Sequence, residues 1–213
     1  MKKAIVVPIK TNNQRLPGKN TMLLGDKPLH DHLFESLKKV KIDTYIDSSD
    51  ELILEIARKN NFLTIKRPTR LNTPETSGND LIIHALNHID CDILGQFFVT
   101  TPFIKPHTIK KAFNILENSK ETTSCFGVYP VYDRFWMDNC PVNHNPTSLV
   151  GTQYMEPLMR EAGFYTFRKE AFLSEQSRIT MSFSTFLVNE RECIDIDTIE
   201  DFIYAEAIYK SLK

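Results

Sequence analysis

The chain lacks the features that identify several large classes of protein. Its 213 residues include four cysteines, which lie far apart with no C-x-x-C pair and no partnering histidine spacing. This pattern argues against both a disulfide framework and a zinc site. The short apolar run at the start meets Pro8 and Lys10 within a few residues, so it suits neither a signal peptide nor a membrane span. We therefore expect a cytoplasmic protein with no membrane association.

Neither sign of charge is in excess. The 26 lysines and arginines are matched by 27 aspartates and glutamates, which gives a formal net charge of -1. Proteins that bind nucleic acid usually carry a clear basic excess, so we expect no nucleic-acid partner, and any anionic ligand must be bound by a local group of cations. A chain of this length with 41% hydrophobic residues can bury the core of a single domain over residues 1–213.

Apolar runs alternate with segments of helical periodicity along most of the chain. The pattern predicts strands at 4–9, 43–48, 62–66, 93–99 and 123–130, and helices at 28–40, 50–60, 78–89 and 106–118. Such alternation is typical of βαβ units and predicts an α/β fold with a mostly parallel sheet flanked by helices.

The second half of the chain is less regular. Residues 132–160 are rich in Asn and Pro and contain the single Trp, and we interpret them as an inserted loop or hairpin. A strand at 163–167 and a short helix follow. A last strand that ends at Asp195 to Asp197 is then predicted to lead into a closing helix.

The segment after the first strand is the most informative. Residues 4–20 read AIVVPIKTNNQRLPGKN, an apolar run that ends in a polar loop with Lys10, Arg15 and Lys19. An open α/β sheet presents such loops at its carboxyl edge, where cations and backbone donors can neutralise a triphosphate. The spacing of a Walker loop is absent. The alternative is an ordinary connection whose lysines keep the surface soluble.

Two carboxylates flank Ile196 near the end of the chain. On an extended strand, Asp195 and Asp197 would point to the same face and could hold Mg²⁺, which proteins usually bind through one or two carboxylates together with substrate phosphates. Asp197 has an alternative role as the N-cap of the last helix, with Glu200 as its capping-box partner. Asp195 has no such structural role.

Other polar side chains follow the third and fourth predicted parallel strands. Arg67 and Ser77 could contact the base or ribose of a nucleotide, or they could be a surface charge and a helix N-cap. Thr100 and Thr101 could face a substrate, or they could be turn residues between a strand and a helix.

Together these segments resemble the acylneuraminate cytidylyltransferase family, whose members make CMP-activated sugar acids. VPIKTNNQRLPGKN resembles that family's I-P-A-R-x-x-S-K-x-[IL]-P-x-K-N loop, and DSSDELILEIA, RPTRLNTPETS and TTPFIKPHTIKKAF are similar to the segments that follow it. IDIDTIEDFIYAE matches the family's D-I-D-T-x-x-D-x-x-x-A-E close. Each motif alone is weak, but their order and spacing over nearly the whole chain are specific.

The resemblance implies a Rossmann-like nucleotidyltransferase with a small dimerisation excursion at 132–160, and hence a homodimer. It also implies an enzyme that transfers CMP from CTP to a sugar acid of the sialic, legionaminic, pseudaminic or Kdo type, or to a related glycan precursor, and releases pyrophosphate. Asp195 and Asp197 would hold the Mg²⁺ cofactor, and Lys10, Lys19 and Asp197 would be catalytic. The nucleotide-binding residues carried over are Pro8, Lys10, Asn13, Arg15, Lys19, Asn20, Arg67 and Ser77. The substrate-binding ones are Thr100, Thr101, Lys105 and Arg160.

The sequence departs from the family pattern mainly on the acceptor side. Lys10 replaces an arginine in the first loop, Phe98 replaces a glutamine, and Ile104 replaces an arginine, with Lys105 one place further on. An apolar lining would leave an acceptor's carboxylate poorly satisfied, which predicts an unusual acceptor. Two alternatives stay open, namely a nucleotidyltransferase that uses another nucleotide or a sugar or polyol phosphate, and a nucleotide-binding homologue without catalysis.

Overall fold

The computed structural model describes residues 1–10 and 15–212, which form twelve strands and six α-helices. The strands are β1 (Lys3–Pro8), β2 (Leu23–Leu24), β3 (Lys27–Pro28), β4 (Asp43–Ser48), β5 (Leu63–Lys66), β6 (Ile93–Phe97), β7 (Ser124–Val131), β8 (Trp136–Met137), β9 (Cys140–Pro141), β10 (Leu158–Glu161), β11 (Phe164–Arg168) and β12 (Phe183–Leu187). The helices are α1 (Leu29–Lys38), α2 (Glu51–Lys59), α3 (Gly78–Leu86), α4 (Pro106–Asn118), α5 (Lys169–Glu175) and α6 (Ile199–Ser211).

Eight strands form one mixed sheet in the order β10-β7-β11-β6-β1-β4-β5, with β12 also paired to β7. Strand β1 runs parallel to β4 and β6, and β4 runs parallel to β5. Strand β11 is antiparallel to both β6 and β7, β10 is antiparallel to β7, and β12 is parallel to β7. The α/β fold with a mostly parallel sheet and flanking helices is therefore confirmed.

Helices cover both faces of this sheet. On one face Ile5 and Val7 of β1 pack in a cluster with Phe34 of α1 and Phe113 of α4. On the other face Ala4 and its neighbours pack with side chains of α3 and α5. Because both faces of β1 are buried, the strand is a continuous apolar run without alternation, as is usual for a parallel sheet.

Three features differ from the sequence prediction. Residues 194–197 are not a strand, and β12 was not predicted. The segment 132–160 contains the β8–β9 hairpin, as predicted, but its last residues also begin β10, which joins the main sheet.

Among the described residues no helix has the length and apolar character needed to cross a membrane.

Candidate active site

A cavity of about 360 Å³ opens at the carboxyl ends of β1 and β6. Pro8 lines it at the end of β1, Lys10 and Thr100 line it after β1 and β6, and Tyr165 lines it from β11. Its other polar lining includes Lys19, Asn20, Arg178, Asp195 and Asp197. The volume suits a small-molecule ligand, and the carboxyl edge of parallel strands is where open α/β sheets bind ligands.

A tight turn delivers Lys19 to this cavity. The amide of Lys19 donates to the carbonyl of Leu16 over 3.2 Å, and Gly18, with φ 72° and ψ 6°, occupies the position of a type II turn that favours glycine. The Lys19 side chain is buried, and its Nζ donates to the carbonyl of Ile196 at 2.9 Å and to Asp197 Oδ1 at 2.8 Å. The basic loop and the acidic pair, which are far apart in sequence, therefore meet.

Asp197 also contacts a second cation. Arg15 Nη2 lies 2.6 Å from Asp197 Oδ2, so each carboxylate oxygen faces one basic side chain. The prediction that Asp197 is the helix cap, with Glu200 as its partner, is wrong. Thr198 is the N-cap of α6 and forms the capping box with Asp201. The Asp197 carboxylate is thus left to face the cavity.

Asp195 is the second carboxylate of the cavity, and it lies on the other side of the fully buried Ile196. Burial raises the pKa of Asp195, and the negative charge of Asp197 raises it further. A hydrogen bond with Thr100 and the positive charge of Lys19 oppose this increase. Although the strand was wrongly predicted, the two aspartates face the same space, as expected.

The loop between β1 and α1 is held by the Asn20 side chain. Its Nδ2 donates to the carbonyl of Lys10, and the Asn20 carbonyl accepts a hydrogen bond from His30 Nδ1 at 2.9 Å. Asn20 Oδ1 is buried and has no hydrogen-bond partner among the described residues. Asn20 therefore fits a ligand that can donate a hydrogen bond. Asn13, the other amide predicted here, lies outside the described residues.

Lys10 lines the cavity beside Pro8, and its Nζ lies 3.4 Å from the carbonyl oxygen of Thr73. Partial burial lowers the pKa of Lys10, and the charge of Arg67 lowers it further. Lys10 therefore brings a positive charge to this end of the cavity, which favours the binding of an anion.

Arg67 is not a surface charge, and that alternative is wrong. Its side chain is fully buried with Asp47, with Nε and Nη2 each 3.1 Å from Asp47 Oδ2 and Nη2 2.6 Å from the Asp47 carbonyl. Burial raises the pKa of Asp47 and the guanidinium opposes this. Arg67 does not line the cavity, although its Nη1 has no partner among the described residues. Its contact with a nucleotide remains a prediction.

Ser77 is the N-cap of α3 and forms a capping box with Asp80, so its structural interpretation is confirmed. The hydroxyl donates to Asp80 Oδ2 at 2.7 Å. Ser77 itself is not part of the cavity lining, whereas the next residue, Gly78, is.

Most of the predicted acceptor-side residues lie away from the cavity lining. Thr101 is buried and its hydroxyl donates to the carbonyl of Phe98 at 2.8 Å, so it is a turn residue. Lys105 is the exposed N-cap residue of α4, and Arg160 is exposed on β10. Ile104, expected to line the acceptor site, belongs to the apolar core instead. Only Thr100 of the predicted acceptor group lines the cavity.

The sequence prediction missed Tyr165 and Arg178. Tyr165 lies in the alternating pattern of the predicted strand at 163–167, so its face could have been inferred once the sheet order was known. Arg178 lies in a polar stretch between α5 and β12 that matches no motif. Only the folded structure brings it to the cavity.

The cavity also suits a divalent cation shared with a ligand. In the part of the chain that the structure describes, no group of three or more His, Cys, Asp or Glu side chains could hold a metal ion. Asp195 and Asp197 alone would provide two carboxylates, which fits Mg²⁺ because that ion completes its shell with water and substrate phosphates.

Comparison with known proteins agrees with this geometry. A family model described as Cytidylyltransferase matches residues 4–211, almost the whole chain. The chain belongs to the cytidylyltransferase family. The prediction of a divergent member fits the low identities to curated relatives.

One relative of this cytidylyltransferase is an N-acylneuraminate cytidylyltransferase of Streptococcus agalactiae. The two are 24% identical over 96% of this chain and 52% of the relative's length. The chain thus spans about half the length of that relative. A pseudaminic acid cytidylyltransferase of Campylobacter jejuni is 24% identical over 99% of this chain and 97% of its own. A solved CMP:2-keto-3-deoxy-manno-octonic acid synthetase complexed with CTP has a TM-score of 0.75 at 15% identity and full coverage of both chains, which supports the nucleotidyltransferase fold.

Proposed function

We propose that this protein is a Mg²⁺-dependent cytidylyltransferase that transfers CMP from CTP to a hydroxyl of a sugar acid or a related glycan precursor and releases pyrophosphate. The observation that carries the proposal is the contact of Lys19 with Asp197, since it joins the basic loop and the acidic pair around one cavity. Relatives named for N-acylneuraminate and pseudaminic acid point to the same acceptor class.

In this proposal the cations of the basic loop bind the triphosphate. Lys19 and Lys10 line the cavity and can contact an anion there, and Arg15 is paired with Asp197, which also lines it. Mg²⁺ held by Asp195 and Asp197 would, when bound, neutralise charge on the phosphates. The loop arginine of the family is Lys10 here, which keeps the charge but loses the bidentate geometry.

The reaction is a displacement at the α-phosphorus of CTP. The acceptor hydroxyl loses its proton to solvent water and its oxygen forms the new P–O bond. The bond from the α-phosphorus to the oxygen that bridges it to the β-phosphate breaks, and pyrophosphate leaves with the electron pair. Since Lys19 and Arg15 already hold Asp197 in place, the site is preorganised, and positioning with charge stabilisation supplies most of the rate enhancement.

The protein is also proposed to form a homodimer through residues 132–160, with the cytoplasm as its expected location. This segment exposes an unusual concentration of large apolar side chains, among them Trp136 at 56%, Met137 at 68% and Tyr154 at 80%. Exposed apolar patches of this kind are typical of interaction surfaces. A Trp136→Lys, Tyr154→Lys variant should be monomeric by light scattering. A monomeric wild-type protein would refute this part.

The enzymatic proposal is tested by pyrophosphate release with CTP, Mg²⁺ and a panel of sugar acids, and by equilibrium binding of CTP, UTP, ATP and GTP. We expect CTP to bind most tightly and pyrophosphate release to require Mg²⁺ and an acceptor. Preference for a purine nucleotide would refute the cytidine assignment. Tight CTP binding with no release for any acceptor would favour a nucleotide-binding homologue without catalysis.

A further inference from the structure

Arg178 places a guanidinium in the cavity on an aromatic platform. The guanidinium carbon lies 4.0 Å from the centre of the Tyr165 ring and 5.9 Å from that of Phe98, and all three residues line the cavity. Arginine stacks well on aromatic rings while keeping its N–H groups available at its edge. The platform therefore fixes the plane of the guanidinium without using its donors.

The neighbouring backbone and a buried amide fix the position of Arg178 further. Its Nη1 donates to Gln96 Oε1 at 2.9 Å, and the fully buried Gln96 in turn donates to the carbonyl of Gly78 at 3.3 Å. A Cβ added to Gly78 would lie 2.5 Å from Arg178 Nη1, so a side chain at that position would displace the guanidinium. The Gln96 side chain and the absence of a side chain at Gly78 therefore hold the Arg178 guanidinium in one position.

No carboxylate neutralises Arg178 within the part of the chain that the structure describes. It forms no ion pair there, and Gln96 is its one hydrogen-bond partner among the described residues. Arg15 and Arg67, by contrast, are each paired with an aspartate. A guanidinium has five N–H donors in a planar fork that matches a carboxylate. The remaining N–H groups of Arg178 can therefore donate hydrogen bonds to an oxyanion of a ligand.

Arg178 shares the cavity with the proposed phosphate site but has different partners. Asp197, Lys19 and Arg15 are among the charges that act on Asp195, whereas Arg178 contacts Gln96, Phe98 and Tyr165. Burial raises the pKa of Tyr165 to about 12, so its ring stays neutral beside the guanidinium at ordinary pH.

We propose that Arg178 binds the carboxylate of the acceptor and so selects acidic acceptors. The inference rests on the proposed function and deepens it. Ile104, which replaces the arginine at the position where the resemblance expects a basic residue, belongs to the apolar core, so the missing positive charge is supplied by a residue from a different segment of the chain. The sequence predicted an unusual acceptor. In this proposal the acceptor is an acid whose carboxylate is bound by an arginine from a different segment of the chain.

The test observes the guanidinium directly. The side-chain Nε–H resonance of Arg178 is assigned by NMR from its loss in Arg178→Lys. The protein, with and without CMP, is then titrated with N-acetylneuraminate, 3-deoxy-manno-octulosonate and pyruvate. The methyl ester of N-acetylneuraminate is the neutral control. We expect a saturable shift of this resonance with at least one acid and none with the ester.

Acceptor kinetics provide a second readout. Arg178→Met should raise the KM for an acidic acceptor roughly tenfold to a hundredfold, as expected for the loss of a charged hydrogen bond, and should leave the Kd for CTP within about twofold. Arg178→Lys should recover part of the loss. Arg58→Met, at an exposed ion pair on α2, is the matched control and should change neither constant.

The outcomes separate this inference from the proposed function. No shift with any of the acids, or an equal shift with the ester, overturns the role of Arg178. A shift with CTP alone and none with the acids would make it a nucleotide-binding residue and also overturn the inference. Failure of CTP to bind the wild-type protein would refute the proposed function, while the acid titration without nucleotide would still report on Arg178.

Discussion

The two halves of the central sheet differ in how well the sequence predicted which of their residues line the cavity. In the parallel half, formed by β6, β1, β4 and β5, the predicted residues Pro8, Lys10 and Thr100 line the cavity. In the other half, the predicted Arg160 lies outside the lining, while the unpredicted Tyr165 and Arg178 lie within it.

The difference follows from strand direction. Parallel strands all end at the same edge, so the loops that follow them, in which the connecting helices begin, lie close together. In the half that contains β10 and β11, strand direction alternates, so a residue's place depends on register and on the turn at residues 161–164. Position after a parallel strand therefore located Pro8, Lys10 and Thr100 at the cavity, although it did not do so for Arg67 or Ser77. No comparable signal placed Tyr165 or Arg178 there.

The largest expected effect tests the interior of the parallel half. Arg67→Met should destabilise the protein by about 3–5 kcal/mol, because it leaves the buried Asp47 without a counter-charge. Urea unfolding followed by circular dichroism measures the change. Arg58→Met breaks an exposed pair that water and salt screen, so it should change the free energy of unfolding much less than Arg67→Met does. Equal effects of the two substitutions would contradict the account.

The next prediction concerns the acidic pair. Asp197→Asn should reduce pyrophosphate release roughly 100-fold or more, because it removes charge from the reacting centre. Circular dichroism should show an intact fold. Thr198→Ala, which removes the actual helix cap, should cost about 1 kcal/mol of stability and keep its turnover. Unchanged pyrophosphate release in Asp197→Asn would return that residue to a purely structural role.

A smaller effect compares a lysine that lines the cavity with a lysine that does not. Lys19→Ala should weaken CTP binding roughly tenfold to a hundredfold at low salt and less at high salt, because a charged hydrogen bond is lost. Lys105→Ala should leave the affinity unchanged, since that side chain lies away from the cavity lining. Calorimetric titration measures both. A loss of CTP affinity in Lys105→Ala, or none in Lys19→Ala, would reverse the assignment.

The smallest predicted effect is on the pH dependence. The pKa of Asp195 is raised above its usual 3.8, so turnover should fall as the pH drops through this raised pKa and Asp195 becomes protonated. Thr100→Val removes a hydrogen bond that favours the charged carboxylate, so it should move the acid limb to higher pH by less than about one unit. Thr101→Val, whose hydroxyl bonds the Phe98 carbonyl, should keep the wild-type midpoint. An acid limb that moves to lower pH would contradict the sign of this coupling.

Much of the fold and the nucleotide side of the site could be predicted from the sequence. Helix α4 was predicted at its observed bounds because Pro106 defines its start and the apolar period persists to residue 118. One site shared by Lys19 and Asp197 was implied by the family resemblance, and the structure brings the two side chains into contact.

The remaining features depend on tertiary contacts that leave no local signal. Phe183–Leu187 becomes a strand because it pairs with β7, and the polar residues before it resemble any loop. The Ile104 side chain packs in the core and the Arg178 side chain lines the cavity. No local sequence pattern predicts either orientation. The cap at Thr198 was missed because Asp197 and Glu200 fit the same spacing one residue earlier.

The most direct test of the central claim is calorimetric titration of CTP, with and without Mg²⁺, on the wild-type protein and on Asp195→Asn. The claim is that the basic loop and the acidic pair bind one magnesium-bound CTP together. We predict one CTP per chain, tighter binding with Mg²⁺, and loss of that Mg²⁺-dependent gain in Asp195→Asn. A gain of the same size in both proteins, or no CTP binding at all, would contradict it.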